Sequence, residues 1–176
     1  MVNKKILLLN IFVIAIALSM LSGTNALPQN SIKQQGAAGA GIFIHEHDSQ
    51  PHNHYFTLTV SNGEAGTDGW LNNPSGKFYL VAIHNKEVHM IVLSNQIMKF
   101  KITENEGSLS IVFEGTAKVY HPDEGWQSGW QLEVEAIDKS PQGTGEDSIH
   151  VMLTAPSGQE HHMEGILTSG NIAIKG

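Results

Sequence analysis

Apolar and polar residues alternate with a period of two along most of the chain, the mark of half-buried strands. Phe56, Leu58 and Val60 alternate with Tyr55, Thr57 and Thr59. Trp130, Leu132, Val134 and Ala136 alternate just as cleanly with Gln131, Glu133 and Glu135. Further strands are predicted over 77–84, 88–94, 96–103, 108–119, 149–154, 161–167 and 172–174. Turn residues separate them: Asn85-Lys86, Glu104-Asn105-Glu106-Gly107, His121-Pro122-Asp123-Glu124-Gly125, Ala155-Pro156-Ser157-Gly158 and Ser169-Gly170-Asn171. Residues 61–76, rich in Gly, Asn, Asp and Pro, read as a long loop pinned by Trp70, and 138–147 as a second loop. No apolar period of 3.6 is sustained beyond the N-terminal segment. The pattern therefore predicts an all-β fold, an antiparallel β-sandwich or flattened barrel of nine to ten short strands.

The N-terminal segment is of a different kind. Lys4 and Lys5 precede an apolar run over 6–21, and Thr24-Asn25-Ala26 places small residues where a signal peptidase would cut. Residues 1–26 are expected to be a signal peptide, with a retained membrane anchor as the competing reading. Residues 27–40, small and polar, read as a linker, leaving 41–176 as a single secreted β domain at the cell surface or outside it. The chain has no cysteine, so neither a disulfide nor a lipid on Cys can contribute.

After residue 26, eight lysines stand against seventeen acidic residues, a formal charge of −9, and there is no arginine. Phosphate recognition leans on Lys and Arg, so nucleic acid is not an expected partner. An acidic surface favours cations. All ten histidines also lie in this part.

Four of them are grouped. Residues 41–60 contain His45-Glu46-His47 and His52-Asn53-His54 around Asp48-Ser49-Gln50-Pro51. On a strand, His-x-His puts both imidazoles on one face. A four-residue hairpin loop over 48–51 would oppose His47 to His52 and His45 to His54, with Phe43 and Phe56 on the same face. Imidazoles suit Cu(II) or Zn(II), whereas Ca(II) and Mg(II) prefer oxygen. His45, His47, His52 and His54 are thus the candidate metal ligands, weighed against a solvated polar hairpin. Asp138 and Asp147 are weaker candidates for calcium, against a role in bonding turn amides. His84 and His89 could approach across their turn; His121 and His150 read as surface histidines. His161 and His162, adjacent on a strand, should face opposite ways. Trp126 in a Gly-rich turn is the best candidate for stacking on glycans or other cell-envelope components, and Trp130 reads as core. No Gly-x-Ser-x-Gly elbow or other nucleophile constellation is visible. The stretch 41–47 looks like the copper strand of Cu/Zn superoxide dismutases, but their later bridging His, zinc Asp, cysteines and steering Arg have no counterparts.

The C-terminal part resembles the post-COAP family of secreted archaeal and bacterial domains. The likeness rests on Gly76-Lys-Phe-Tyr with His89, on Trp130-x-Leu-x-Val-x-Ala-x-Asp138, on Gly143-Thr-Gly-Glu-Asp147-Ser-Ile-His-Val, and on Gly165-x-Leu-Thr-Ser-Gly-Asn-Ile-x-Ile. It implies a β-rich extracellular domain and no particular activity, and it does not extend to the His hairpin. The expected function is a non-enzymatic extracellular module that binds a divalent transition metal. A structural or adhesive surface domain is the alternative, and a metal-dependent enzyme a further one.

Overall fold

The computed structural model describes residues 35–47, 50–139 and 146–176. The expected signal peptide, and residues 27–34 of the expected linker, lie outside the described residues. Ten strands follow in order: β1 (Gly36–His47), β2 (Gln50–Ser61), β3 (Glu64–Ala65), β4 (Leu71–Asn72), β5 (Ser75–His84), β6 (Glu87–Asn105), β7 (Ser108–His121), β8 (Gly125–Asp138), β9 (Ser148–Thr154) and β10 (Glu160–Lys175). None of the described residues is helical.

The sheet order is β6-β5-β2-β1-β10-β9-β8-β7, and β7 pairs back onto β6. Every pairing is antiparallel. The result is a closed eight-stranded barrel rather than a sandwich, with β3 and β4 as an annex on β6. Closure follows from strand length. The segments expected over 88–94 and 96–103 form one strand of 19 residues, bent by register shifts at Ser94/Gln96 and Ile97/Lys99. Likewise 161–167 and 172–174 join through 168–171 into the 16-residue β10, whose pairing with β1 shifts at Ile42/Phe43. Bulges bend a strand and raise its twist, so a few long strands wrap one sheet into a cylinder where many short straight ones would stack as two layers.

β1 starts inside the stretch expected as linker. Its Gly/Ala composition has little strand propensity, but the barrel requires it there. A Cβ on Gly41 would lie 2.7 Å from the Ser169 carbonyl oxygen and 3.1 Å from the Phe56 ring. Small residues let this strand run between β2 and β10 while their larger side chains fill the interior. Phe43, Phe78, Phe100, Phe113, Leu80, Ile111, Leu132 and Leu153 are fully buried there. Trp130, 4% exposed, joins them. The stretch 61–76, expected as one long loop, holds β3, β4 and the start of β5, and Trp70, between β3 and β4, is held under the Lys99 ammonium at 4.2 Å.

Turns are shorter than the polar residues suggest. His84 pairs with Glu87, so Asn85 and Lys86, with φ of 50° and 67°, form the expected two-residue turn. Asn105 pairs with Ser108, which leaves Glu106-Gly107 where four residues were expected. Because neighbouring strands are antiparallel, the β1–β2, β5–β6, β7–β8 and β9–β10 hairpins all open at one end of the barrel, its mouth. The opposite end is its base.

At the base sit the two candidate calcium ligands. β9 is shorter than β10 and pairs only along Glu160 to Ile166, which leaves the later amides of β10 without a strand on that side. Asp147, 1% exposed, supplies the missing acceptors. Its Oδ2 takes the Ile172 N–H at 2.9 Å, its Oδ1 the Lys139 N–H at 3.2 Å, and its backbone carbonyl the Leu167 N–H at 2.8 Å. Asp138 Oδ2 takes the Ile174 N–H at 3.1 Å. These carboxylates bond backbone amides, the alternative weighed against calcium.

Candidate functional site

On five of the eight barrel strands the inward phase, followed to the mouth, ends on histidine. On β2, Val60, Leu58 and Phe56 are followed by His54 and His52, which are 2% and 8% exposed. On β1, Phe43 leads to His45; on β5, Phe78, Leu80 and Ala82 lead to His84; on β7, Ala117 and Val119 lead to His121; on β10, Met163 leads to His161. β6 joins by another route. Between Ala82/Ile83 and their partners Met90 and Val88 the ladder skips His89, and such a bulge re-aims the extra side chain. Seven imidazoles therefore cap the core at one end.

The register of the first hairpin differs from expectation by two residues. His45 pairs with His52, Phe43 with His54 and His47 with Gln50. A shift of two keeps every side chain on its face, whereas a shift of one would have turned the histidines outward. The expected pairings fail because Gln50 and Pro51 continue β2, where the ladder to β1 supplies their backbone contacts. His45, His52 and His54 are brought together as expected. The His47 side chain lies outside the described residues.

The His54 ring stacks on Phe43 at 4.8 Å between centroids and 15° between planes. It lies 5.9 Å from the His45 ring and 6.4 Å from that of His52. His52 in turn lies 4.2 Å from His84 and 5.5 Å from His89. Beyond His89, a pocket of about 430 Å³ includes His121, His161 and Trp130 in its walls. The Trp130 ring stands 6.2 Å from that of His121 and 5.5 Å from that of His161.

Hydrogen bonds set the tautomers. His54 Nδ1–H donates to the His52 carbonyl at 3.1 Å, so in the neutral ring Nε2 keeps its lone pair. A backbone carbonyl on the far nitrogen is the usual way a ligating imidazole is oriented. His45 Nδ1 accepts the Glu164 N–H at 3.2 Å and lies 3.3 Å from the Glu164 carbonyl oxygen; donating to that oxygen instead would free its Nε2. Asn85 Nδ2 donates to His84 Nε2 at 2.8 Å. His84 Nδ1 is the one buried side-chain nitrogen or oxygen among the described residues that has no hydrogen-bonding partner. An orphan of this kind costs roughly 1–3 kcal/mol. A half-turn of the Asn85 amide would make Nε2 the donor and Nδ1 a free lone pair.

Burial dominates the titration of His54 and His121. It lowers the His54 pKa to about 4, against the bond to the His52 carbonyl, and neighbouring His45, His52 and His89 lower it further. His121 is also lowered, first by burial and then by His89 and His161, with Glu124 opposing. His54 is therefore neutral down to about pH 4, as a metal ligand must be.

Two imidazoles on one tetrahedral ion hold their centroids roughly 5 Å apart, close to the separations found here. Their orientations are a different matter. Among the described residues no three His, Asp or Glu side chains already surround one point at ligating distance, so binding would require χ rotations. Sequence reasoning overlooked His121 and His161 as members of this group and left His84 and His89 as a separate pair. The alternation on β5, β7 and β10 carries the signal for three of them; the bulge at His89 leaves none.

The chain matches no family model, no curated protein and no solved structure. Fold and side chains alone define the class: a closed eight-stranded antiparallel barrel with a histidine-lined mouth.

Proposed function

We propose that this protein is a secreted, non-enzymatic β-barrel module that binds a divalent transition metal, Cu(II) or Zn(II), at the mouth. The observation that carries the reading is the convergence of His45, His52, His54, His84 and His89 from four strands. Within that group the buried His84 Nδ1 has no hydrogen-bonding partner, and the Nδ1 bond of His54 leaves its Nε2 with the lone pair. The acidic mature chain, the signal-peptide pattern of residues 1–26 and the resemblance to post-COAP domains support an extracellular setting. The alternative is a structural or adhesive surface domain in which the imidazoles only cap the core; the Glu164 N–H donated to His45 Nδ1 favours it.

Titrating Zn(II) or Cu(II) into residues 27–176, with and without His52→Ala/His54→Gln, separates the two. Loss of one bound ion per chain, with the far-ultraviolet circular dichroism of the barrel retained, is expected. Equal stoichiometry and affinity in both proteins would sink the metal reading. Binding should weaken below about pH 6, because ligating imidazoles must be neutral.

A further inference from the structure

Two histidines outside the mouth meet on the outer wall. His150 on β9 and His162 on β10 sit diagonally across the ladder, since His150 pairs with Glu164 and Met152 with His162. Their rings are nearly parallel, 14° apart with centroids at 5.4 Å. His150 Nε2 lies 3.2 Å from His162 Nδ1, and His162 Nε2 lies 3.4 Å from Glu160 Oε2. Adjacent in sequence, His161 and His162 thus serve opposite faces, one the mouth and the other this wall.

We propose that His150 and His162 form a second metal site, independent of the mouth, for a borderline divalent ion such as Cu(II) or Zn(II). Nitrogens bound to one tetrahedral ion at about 2.0–2.1 Å are roughly 3.3 Å apart. The His150 Nε2 to His162 Nδ1 spacing already matches that bite, so χ rotations that turn both lone pairs to one side of the pair let an ion replace the proton the two nitrogens share. Glu160 supplies the carboxylate that orients a ligating imidazole. By accepting from His162 Nε2–H, it leaves His162 Nδ1 as the lone pair facing His150.

The surroundings favour a cation. In register, His150 stands between Glu135 and Glu164, and Met152 between Glu133 and His162. With Glu160 that places four carboxylates around two imidazoles. No lysine occurs on β8, β9 or β10 before Lys175 at the far end. His162 and Glu160, with side chains 48% and 57% exposed, leave the remaining coordination positions open to water. Two protein nitrogens with water suit Cu(II) and Zn(II) better than Ca(II) or Mg(II), which prefer all-oxygen sites.

The test is calorimetric titration of Zn(II) into the full-length chain, paired with electron paramagnetic resonance of Cu(II) bound at the same positions. Four proteins are compared: unaltered, His150→Ala, His162→Ala and Glu160→Gln. All three side chains are on the outer face, so thermal melts should superimpose. His150→Ala and His162→Ala should each remove one ion per chain and the Cu(II) signal with two equivalent nitrogens. Glu160→Gln should keep the ion with affinity lowered roughly tenfold. Unchanged stoichiometry and an unchanged Cu(II) spectrum in His150→Ala would overturn the proposal. A mouth variant, His54→Gln, keeps the two sites apart. An ion lost in His54→Gln but retained in His150→Ala belongs to the mouth; if it is the only ion bound, the wall proposal falls. An ion with the opposite behaviour establishes the wall site even if the mouth binds nothing.

Discussion

At the scale of the residue, His54 has consequences beyond any ligand. It occupies a core position, stacked on Phe43, and burial drops its pKa from the ordinary 6.5 to about 4. The folded state thus holds fewer protons than the unfolded chain between those values, and stability must fall as pH falls. The loss begins near pH 6.5, where the unfolded imidazole starts to protonate, and is complete near pH 4, where the folded one does. A tenfold change in proton affinity is worth about 1.4 kcal/mol, so His54 alone should remove about 3 kcal/mol across that window. His121, lowered in the same direction, adds to the loss. Urea unfolding at pH 7, 5.5 and 4.5 measures it. In His54→Gln most of the slope over this range should disappear; an undiminished slope would place the acid sensitivity elsewhere.

At the scale of the element, the aspartates at the base complete a ladder that β9 is too short to make. Asp147→Ala would leave the Ile172 and Lys139 amides without acceptors in a buried site. Hydrogen bonds to charged groups contribute about 1.5–3 kcal/mol each, so the variant should lose about 2–4 kcal/mol in urea unfolding. Asp147→Asn, which keeps one acceptor oxygen, should lose about half as much. If the amide bonds are the whole role, a calcium chelator leaves the unaltered protein's midpoint where it was; a drop with chelator would restore calcium. The same element shows what was legible in the sequence. Strand phase was readable wherever residues alternate, and it placed His45, His52 and His54 on one inward face. Closure was not readable, because it depends on the bulges at Asn95, Met98 and Thr168, which leave no mark in a period-two pattern. β1 hid for the opposite reason: its glycines and alanines carry no pattern, and only the neighbours they accommodate make the stretch a strand. Loop lengths were overestimated at 48–51 and 104–107 because polarity was taken as the sign of a turn. Polar residues at the ends of exposed ladders are paired just as well.

At the scale of the whole molecule, the two ends of the barrel are built to different purposes. At the base, β10 is held on one side by the Gly36 to Ile42 half of β1 and on the other by Asp138 and Asp147. At the mouth, four hairpins carry the seven imidazoles. A closed sheet has no edge to protect, and the Gly/Ala half of β1 is what removes the edges of β2 and β10 at the base. Two truncations test its weight. A chain of residues 35–176 retains every described pairing and should unfold in urea at the same midpoint as residues 27–176. A chain of residues 42–176 exposes the partners of Gly36 to Gly41, which run from Phe56 to Ser61 on β2 and from Gly170 to Lys175 on β10. Each backbone hydrogen bond given up to water costs about 0.5–1.5 kcal/mol, and Leu58, Val60, Ile172 and Ile174 lose part of their cover. Together these losses reach the roughly 5–15 kcal/mol by which a domain is stable. The shorter chain should therefore lose cooperative unfolding and run as aggregate on size exclusion, its new edges open to other copies. A monomeric 42–176 with an unchanged midpoint would mean that the barrel stands without its glycine-rich strand half, and that residues 36–41 are the linker their composition suggests.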